Sequence, residues 1–172
     1  MVELIGELDG IDQKIKAIDK DLTELVTARG CTLPELHGIG PSGAARLLAD
    51  VGDIHRFASR DRFTSCNGTA PLDASCGQQQ RHRLSRAGNR RINRTLHIMA
   101  VVQLRNATPG RAYFDAKNAA GKTPMEAMRA LTRRLSNAVY RPMRSTAGCC
   151  TTSRPPRRQA REGTPGRLTS PA

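Results

Sequence analysis

The stretch LPELHGIGPSGAARLLADVGDIHRF, residues 33–57, decides how this chain folds. Pro34 and Leu36 sit in a short helical segment that Gly38-Ile39-Gly40 interrupts, and Pro41 then stands where a first helical residue has no use for its missing N–H. Leu47 and Leu48 supply the apolar face of the second helix, which Gly52 stops. The pattern reads as a helix-hairpin-helix. Two uses of the glycines fit it equally: Gly38 and Gly40 let helix N-terminal amides approach a phosphate, or they let two helices pack closely.

On the N-terminal side, Leu4, Leu8, Ile11, Ile15, Ile18, Leu22 and Leu25 recur at alternating spacings of four and three. That is the seam of a coiled coil or helical hairpin, and it requires a partner helix. Asp9, Asp12, Asp19 and Asp21 lie between these positions and read as a solvated polar face, although Gly6 and Gly10 weaken the first turns. The stripe begins in mid-heptad without a cap, which suggests a chain cut from something longer.

On the C-terminal side, Ser59 is placed to cap a helix through Cys66, and Gly68, Pro71 and Gly77 then break regularity in GTAPLDASCGQQQRHRLSR, residues 68–86. Ser75 stands on this irregular loop, facing a run of arginines that comprises Arg81, Arg83, Arg86, Arg90, Arg91 and Arg94. No carboxylate occurs between Asp73 and Asp115. Guanidinium groups match phosphate oxygens and stay charged at any working pH, so the run suits a polyanion; a solvated basic turn is the alternative. From Asn89 the positions Ile92, Leu96, Met99, Ala100 and Val102 to Leu104 predict a mostly buried helix, with Pro109 and Gly110 ending it. A further helix is expected over Ala112–Ala120. Thr123-Pro124-Met125-Glu126 is a capping box opening the last one, whose apolar stripe is Met128, Leu131, Leu135 and Val139, with Arg129, Arg133, Arg134 and Arg141 alongside. Beyond Met143 the chain is rich in Pro, Gly, Ser, Thr and Arg, and a disordered basic tail is expected over 144–172. The expected architecture is mainly α: a coiled-coil helix over 1–30, a helical domain with an irregular loop over 31–143, and the tail.

The whole chain of 172 residues carries a formal charge of +13. Nucleic acid is the partner this implies, through counterion release and without sequence choice. Aromatic residues make up 3% with no Trp, which disfavours base-stacking platforms. Five cysteines without a CxxC pair read as reduced thiols, with no metal site in this chain. The acidic start MVELIGELDG is unlike a signal peptide and IMAVVQL is too short to span a bilayer, so a cytoplasmic protein without a membrane partner is expected.

In order, the amphipathic helix, the 33–57 hairpin, the 68–96 loop and arginine run, and AYFDAKNAAGKTPMEAMRALTRRL resemble the C-terminal transposase domain of the insertion-sequence-110 family of transposases. The resemblance covers roughly Leu33 to Met143. In that family the serine of a G-x-x-P-x-x-x-S-x-G pattern is the recombination nucleophile, and Gly68, Pro71, Ser75 and Gly77 match it in register. Thr69 stands where leucine is usual and Cys76 where a small hydroxyl residue is usual. The resemblance implies DNA strand breakage and rejoining through a covalent serine–DNA link, on insertion-sequence ends and with a guide RNA. It also implies an N-terminal resolvase-like domain whose four carboxylates bind divalent metal. That domain is not encoded in these residues, so the expectation is a truncated transposase, working as a homo-oligomer or with the missing domain. No cofactor is needed for the attack itself. His82 and those metal-bound carboxylates are both candidates for the general base. Two other functions remain open on the residues alone: a non-catalytic helix-hairpin-helix nucleic-acid-binding remnant, and a coiled-coil adaptor.

Overall fold

A computed structural model describes residues 2–74, 82–83, 85 and 87–145. Six helices account for most of them: α1 (Val2–Ala28), α2 (Pro41–Val51), α3 (Arg60–Cys66), α4 (Arg90–Arg105), α5 (Pro109–Ala119) and α6 (Pro124–Ser145). The mainly α class expected from the sequence is the class observed. Strands β1 (Leu72–Asp73) and β2 (His82–Arg83) pair antiparallel, with Leu72 opposite Arg83 and Asp73 opposite His82.

The core forms where α2, α4 and α6 bring their apolar stripes together. Leu47 and Val51 of α2, Ile92, Leu96 and Met99 of α4, and Leu131, Val139 and Met143 of α6 are buried, along with Leu33 and Ile54 from the connections. Full burial of each such side chain contributes about 1.5–3 kcal/mol. Phe63 of α3 completes the cluster, its ring edge-on to Phe57 at 5.4 Å and tilted against Tyr140 at 5.6 Å. The Tyr140 hydroxyl donates to the Phe57 carbonyl at 3.0 Å, so a polar atom brought into the core is satisfied.

Most expected helix starts are present with their caps. Ser59 Oγ accepts from the Arg62 amide and Asn89 Oδ1 from the Arg91 amide. Thr123 and Glu126 form the capping box, the threonine amide donating to the Glu126 carboxylate at 3.0 Å and Thr123 Oγ accepting from the Glu126 amide. The hydrogen bond from the Thr123 amide, reinforced by the Thr123 hydroxyl, lowers the Glu126 pKa from its ordinary value. A carboxyl depressed in the folded state contributes stability above its unfolded pKa and loses it as pH falls through the lowered value. Glu126→Gln should therefore lower the thermal midpoint at neutral pH and leave it close to that of the unaltered chain in strong acid, by calorimetry across pH.

Three expectations differ from the structure. The first helix of the 33–57 hairpin is only a 3-10 turn, Leu33–Glu35. Pro109 and Gly110 do not end α4, which stops at Arg105; Pro109 opens α5 behind the cap Thr108, whose Oγ accepts from the Arg111 amide. Of the positions Val102 to Leu104 expected on the buried face, only Gln103 is fully buried, its Nε2 donating to the His37 carbonyl at 2.8 Å, while Val102 and Leu104 are half-buried. The helix α6 continues through Pro142 to Ser145, and the remainder of the expected tail lies outside the described residues.

Helix α1 contributes only its C-terminal end to the core, where Val26 is buried. Leu4, Leu8, Ile11, Ile15, Ile18 and Leu25 are each more than half exposed, and Leu22 is half-buried. The seam thus faces solvent. Asp9, Asp12, Asp19 and Asp21 are exposed along the same helix.

Candidate nucleic-acid interface

The β1–β2 ribbon leaves the body at the end of α3 and returns to it at the start of α4, and the two ends are fastened to one another. The Asn89 amide donates to the Cys66 carbonyl at 2.7 Å, and Asn93 Nδ2 donates to the Asn67 carbonyl at 2.9 Å. Buried Asn67 joins them to α6: its Nδ2 donates to Ser136 Oγ at 2.7 Å while its Oδ1 accepts from both the amide and the hydroxyl of Thr69. Gly68 and Gly88 cross at this junction with φ of 72° and 109°. A Cβ on Gly88 would lie 2.6 Å from the Cys66 carbonyl oxygen and 2.8 Å from the Gly68 nitrogen, so only glycine fits. Sequence reading singled out Gly68 but missed Asn67, Gly88 and Asn93.

A cleft of about 280 Å³ opens at this junction, lined in part by Gly68, Ser85, Arg90, Asn93, Arg94 and His97. Arg90, Arg91, Arg94 and His97 are exposed on α4, and Arg83 is exposed on β2. No acidic residue occupies the first turn of α4. Arginines crowding a helix N-terminus oppose the helix dipole, where an anion would be favoured. The charge is therefore in place for an external anion, at a cost to the isolated helix. Arg91 is partly neutralised: Asp50 of α2 approaches it at 3.6 Å, an interaction invisible in a sequence whose nearest carboxylates are Asp73 and Asp115.

Of the other expected site residues, Gly38 has a φ of 93° and lies against α4, where a Cβ would meet the Met99 carbonyl oxygen at 2.8 Å. Close packing accounts for its identity. Gly40 is the N-cap of α2 with open space around its α-carbon and no side-chain cap, leaving the first amides of that helix uncovered by a side chain. Ser75, Cys76, Arg81 and Arg86 lie outside the described residues; Ser75 belongs to the segment that joins β1 to β2. Among the described residues no three His, Cys, Asp or Glu side chains come together to hold a metal, and no helix is long and apolar enough to cross a membrane.

Residues 31–115, from just before the 3-10 turn into α5, match the model of the transposase IS116/IS110/IS902 family. The chain is also similar to an uncharacterized 42 kDa protein of insertion element IS900 from Mycobacterium paratuberculosis, at 35% identity over 61% of this chain and 29% of that protein. It is 28% identical to an uncharacterized 43.6 kDa protein of insertion element IS110 from Streptomyces coelicolor over 82% of this chain and 36% of that protein. A 44.8 kDa protein of insertion element IS116 from Streptomyces clavuligerus is 27% identical over 83% of this chain and 36% of its own length. The chain thus aligns with about a third of the length of these relatives. The hairpin, the ribbon junction and the arginine-bearing helix all fall within the stretch that matches an insertion-sequence transposase family.

Proposed function

We propose that this chain is the serine-bearing part of an insertion-sequence transposase, which holds DNA along β2 and α4 and uses Ser75 for strand breakage and rejoining. The observation that supports the reading is the ribbon junction: the two ends of the β1–β2 ribbon, between whose strands Ser75 falls in the sequence, are fastened at the N-terminus of α4, where Arg90 and Arg94 are exposed without an acidic residue in the first turn. The family match over 31–115 supports the same assignment.

In this mechanism the Ser75 oxygen attacks a DNA phosphorus, an Oγ–P ester forms, and the bond from phosphorus to one bridging oxygen breaks. The leaving oxygen takes a proton, and the serine proton passes to a base. Since the new ester conserves the bond energy, a second strand end can displace the serine and rejoin the DNA. Arg83, Arg90, Arg91 and Arg94, together with Arg81 and Arg86, offset the charge that builds on phosphorus. Gly40 adds the uncovered amides of α2, and Gly38 holds that turn against α4. His82, opposite Asp73 on the ribbon, is the base this chain offers. Among the described residues no group of side chains fits the divalent metal that the family resemblance implies; a guide RNA would be a partner.

Binding to duplex DNA should be micromolar or weaker and fall steeply with salt. Replacing Arg90 and Arg94 together with Ala should flatten the slope of log K against log salt by about 2 and weaken all sequences alike. Affinity that is flat between low and physiological salt would refute the electrostatic basis. A binding-only protein would use the same arginines and leave Ser75 idle.

The exposed seam of α1 is proposed to pair with a second copy of the chain, since a row of half-exposed Leu and Ile is stabilised only by a matching helix. Ile11→Asp with Ile18→Asp should halve the mass seen by sedimentation. An unchanged mass would remove self-pairing through this helix.

A further inference from the structure

A second arginine-lined groove lies between α3, α5 and α6, shares no lining residue with the α4 cleft, and has a volume of about 530 Å³. One face of α6 forms its long side: Ala130, Arg133, Arg134, Asn137, Ala138 and Arg141 share it, each three or four positions from its neighbours along the face. Small and polar residues thus lie between guanidinium groups from Ala130 to Arg141, a rise of about 16 Å along the helix. Arg60 of α3 and Tyr113 of α5 complete the lining.

No carboxylate lines this groove. Arg133 is paired with Asp61 at 3.2 Å, and the guanidinium of Arg134 stacks over the Tyr113 ring at 4.7 Å. Among the described residues Arg60, Arg134 and Arg141 have no carboxylate partner. Like charges that converge without a counter-charge repel one another, and an anion between them relieves that repulsion. The stack on Tyr113 holds one guanidinium flat, which suits it to phosphate oxygens.

We propose that this groove binds a second run of DNA backbone, through phosphate contacts from Arg60, Arg134 and Arg141, independently of the α4 face. The spread of charge fits a strand rather than a single phosphate: 16 Å of helix corresponds to about five nucleotides of axial rise. This inference rests on the reading of the chain as a DNA-binding protein. Two DNA-binding faces on one domain would let it hold two segments at once, as the exchange of strand ends between them requires.

The test is salt-dependent binding of the full chain to a long DNA duplex, with Arg134→Ala/Arg141→Ala, Arg134→Lys/Arg141→Lys and Arg90→Ala/Arg94→Ala compared. The Ala pair at 134 and 141 should weaken binding about tenfold at physiological salt and flatten the salt slope by about 2, additively with the 90/94 pair. The Lys pair should restore most of the slope, which a purely structural loss of the Tyr113 stack would not. An unchanged slope for the 134/141 Ala pair, with the 90/94 pair still effective, overturns this groove and leaves the α4 face standing. Weakened binding of an RNA hairpin with unchanged DNA binding also overturns the DNA assignment. If the unaltered chain binds no DNA at low salt, both readings fail together.

Discussion

A chain carrying Gly88→Ala should melt roughly 10 °C below the unaltered protein. The new methyl group would meet three backbone atoms of the 66–68 turn, the nearest at 2.6 Å, and none is the end of a flexible side chain. A φ of 109° adds strain that an L-residue cannot avoid. Strain and overpacking together cost about 2–4 kcal/mol, which in a domain of this size moves the midpoint by that amount. The damage should concentrate at the ribbon junction. In native-state hydrogen exchange, the Asn89 amide, which donates to Cys66, should lose protection before the amides at the centre of α4. The contrasting variant is Gly10→Ala, where nothing lies within 4 Å in the middle of α1; it should strengthen that helix by about 0.5–1 kcal/mol. Equal effects from both variants would mean that the junction is not the rigid clamp described.

The helices were legible because each carries its own punctuation. Ser59 and the Thr123–Glu126 box can be read directly as caps, and the stripes of α4 and α6 announce which side is buried. Pro109 was misread because a proline after a helix and a proline beginning one look alike until Thr108 is recognised as a cap. The 33–57 hairpin was legible in its turn and its second helix but not in the length of its first, since three residues carry no periodicity.

Less of the site could be read. Strands of two residues leave no alternation to detect, so the ribbon was visible only as an irregular loop bounded by glycines. Asn67 is an ordinary asparagine in sequence; what fixes it is a hydrogen bond to Ser136, 69 positions away. The pairing of Arg91 with Asp50 is hidden for the same reason, and so is the groove that gathers Arg60 from α3 beside Arg134 and Arg141 of α6. The spacing of 130, 133, 134, 137, 138 and 141 did hold a signal, a basic stripe with small residues between the charges. It needed a neighbouring helix to become a groove.

Removing one oxygen atom should have the largest effect of all. Ser75→Ala leaves charge and bulk nearly unchanged, so DNA affinity and the salt slope should hold while covalent chemistry disappears. The adjacent Cys76 sharpens the comparison, because a thiol is intrinsically the better nucleophile near neutral pH. Geometry decides between them: two consecutive side chains cannot both lie in line with one scissile phosphate, and the G-x-x-P-x-x-x-S-x-G register selects Ser75. The decisive measurement is a denaturing gel of the chain incubated with labelled insertion-sequence ends, a resolvase-like four-carboxylate domain supplied in trans with divalent metal, and guide RNA. A band of protein covalently joined to DNA is expected from the unaltered chain and from Cys76→Ser, and none from Ser75→Ala. An adduct that survives Ser75→Ala and is lost with Cys76→Ser would contradict the assignment of the nucleophile, and no adduct from any of the three despite DNA binding would contradict strand breakage by this chain.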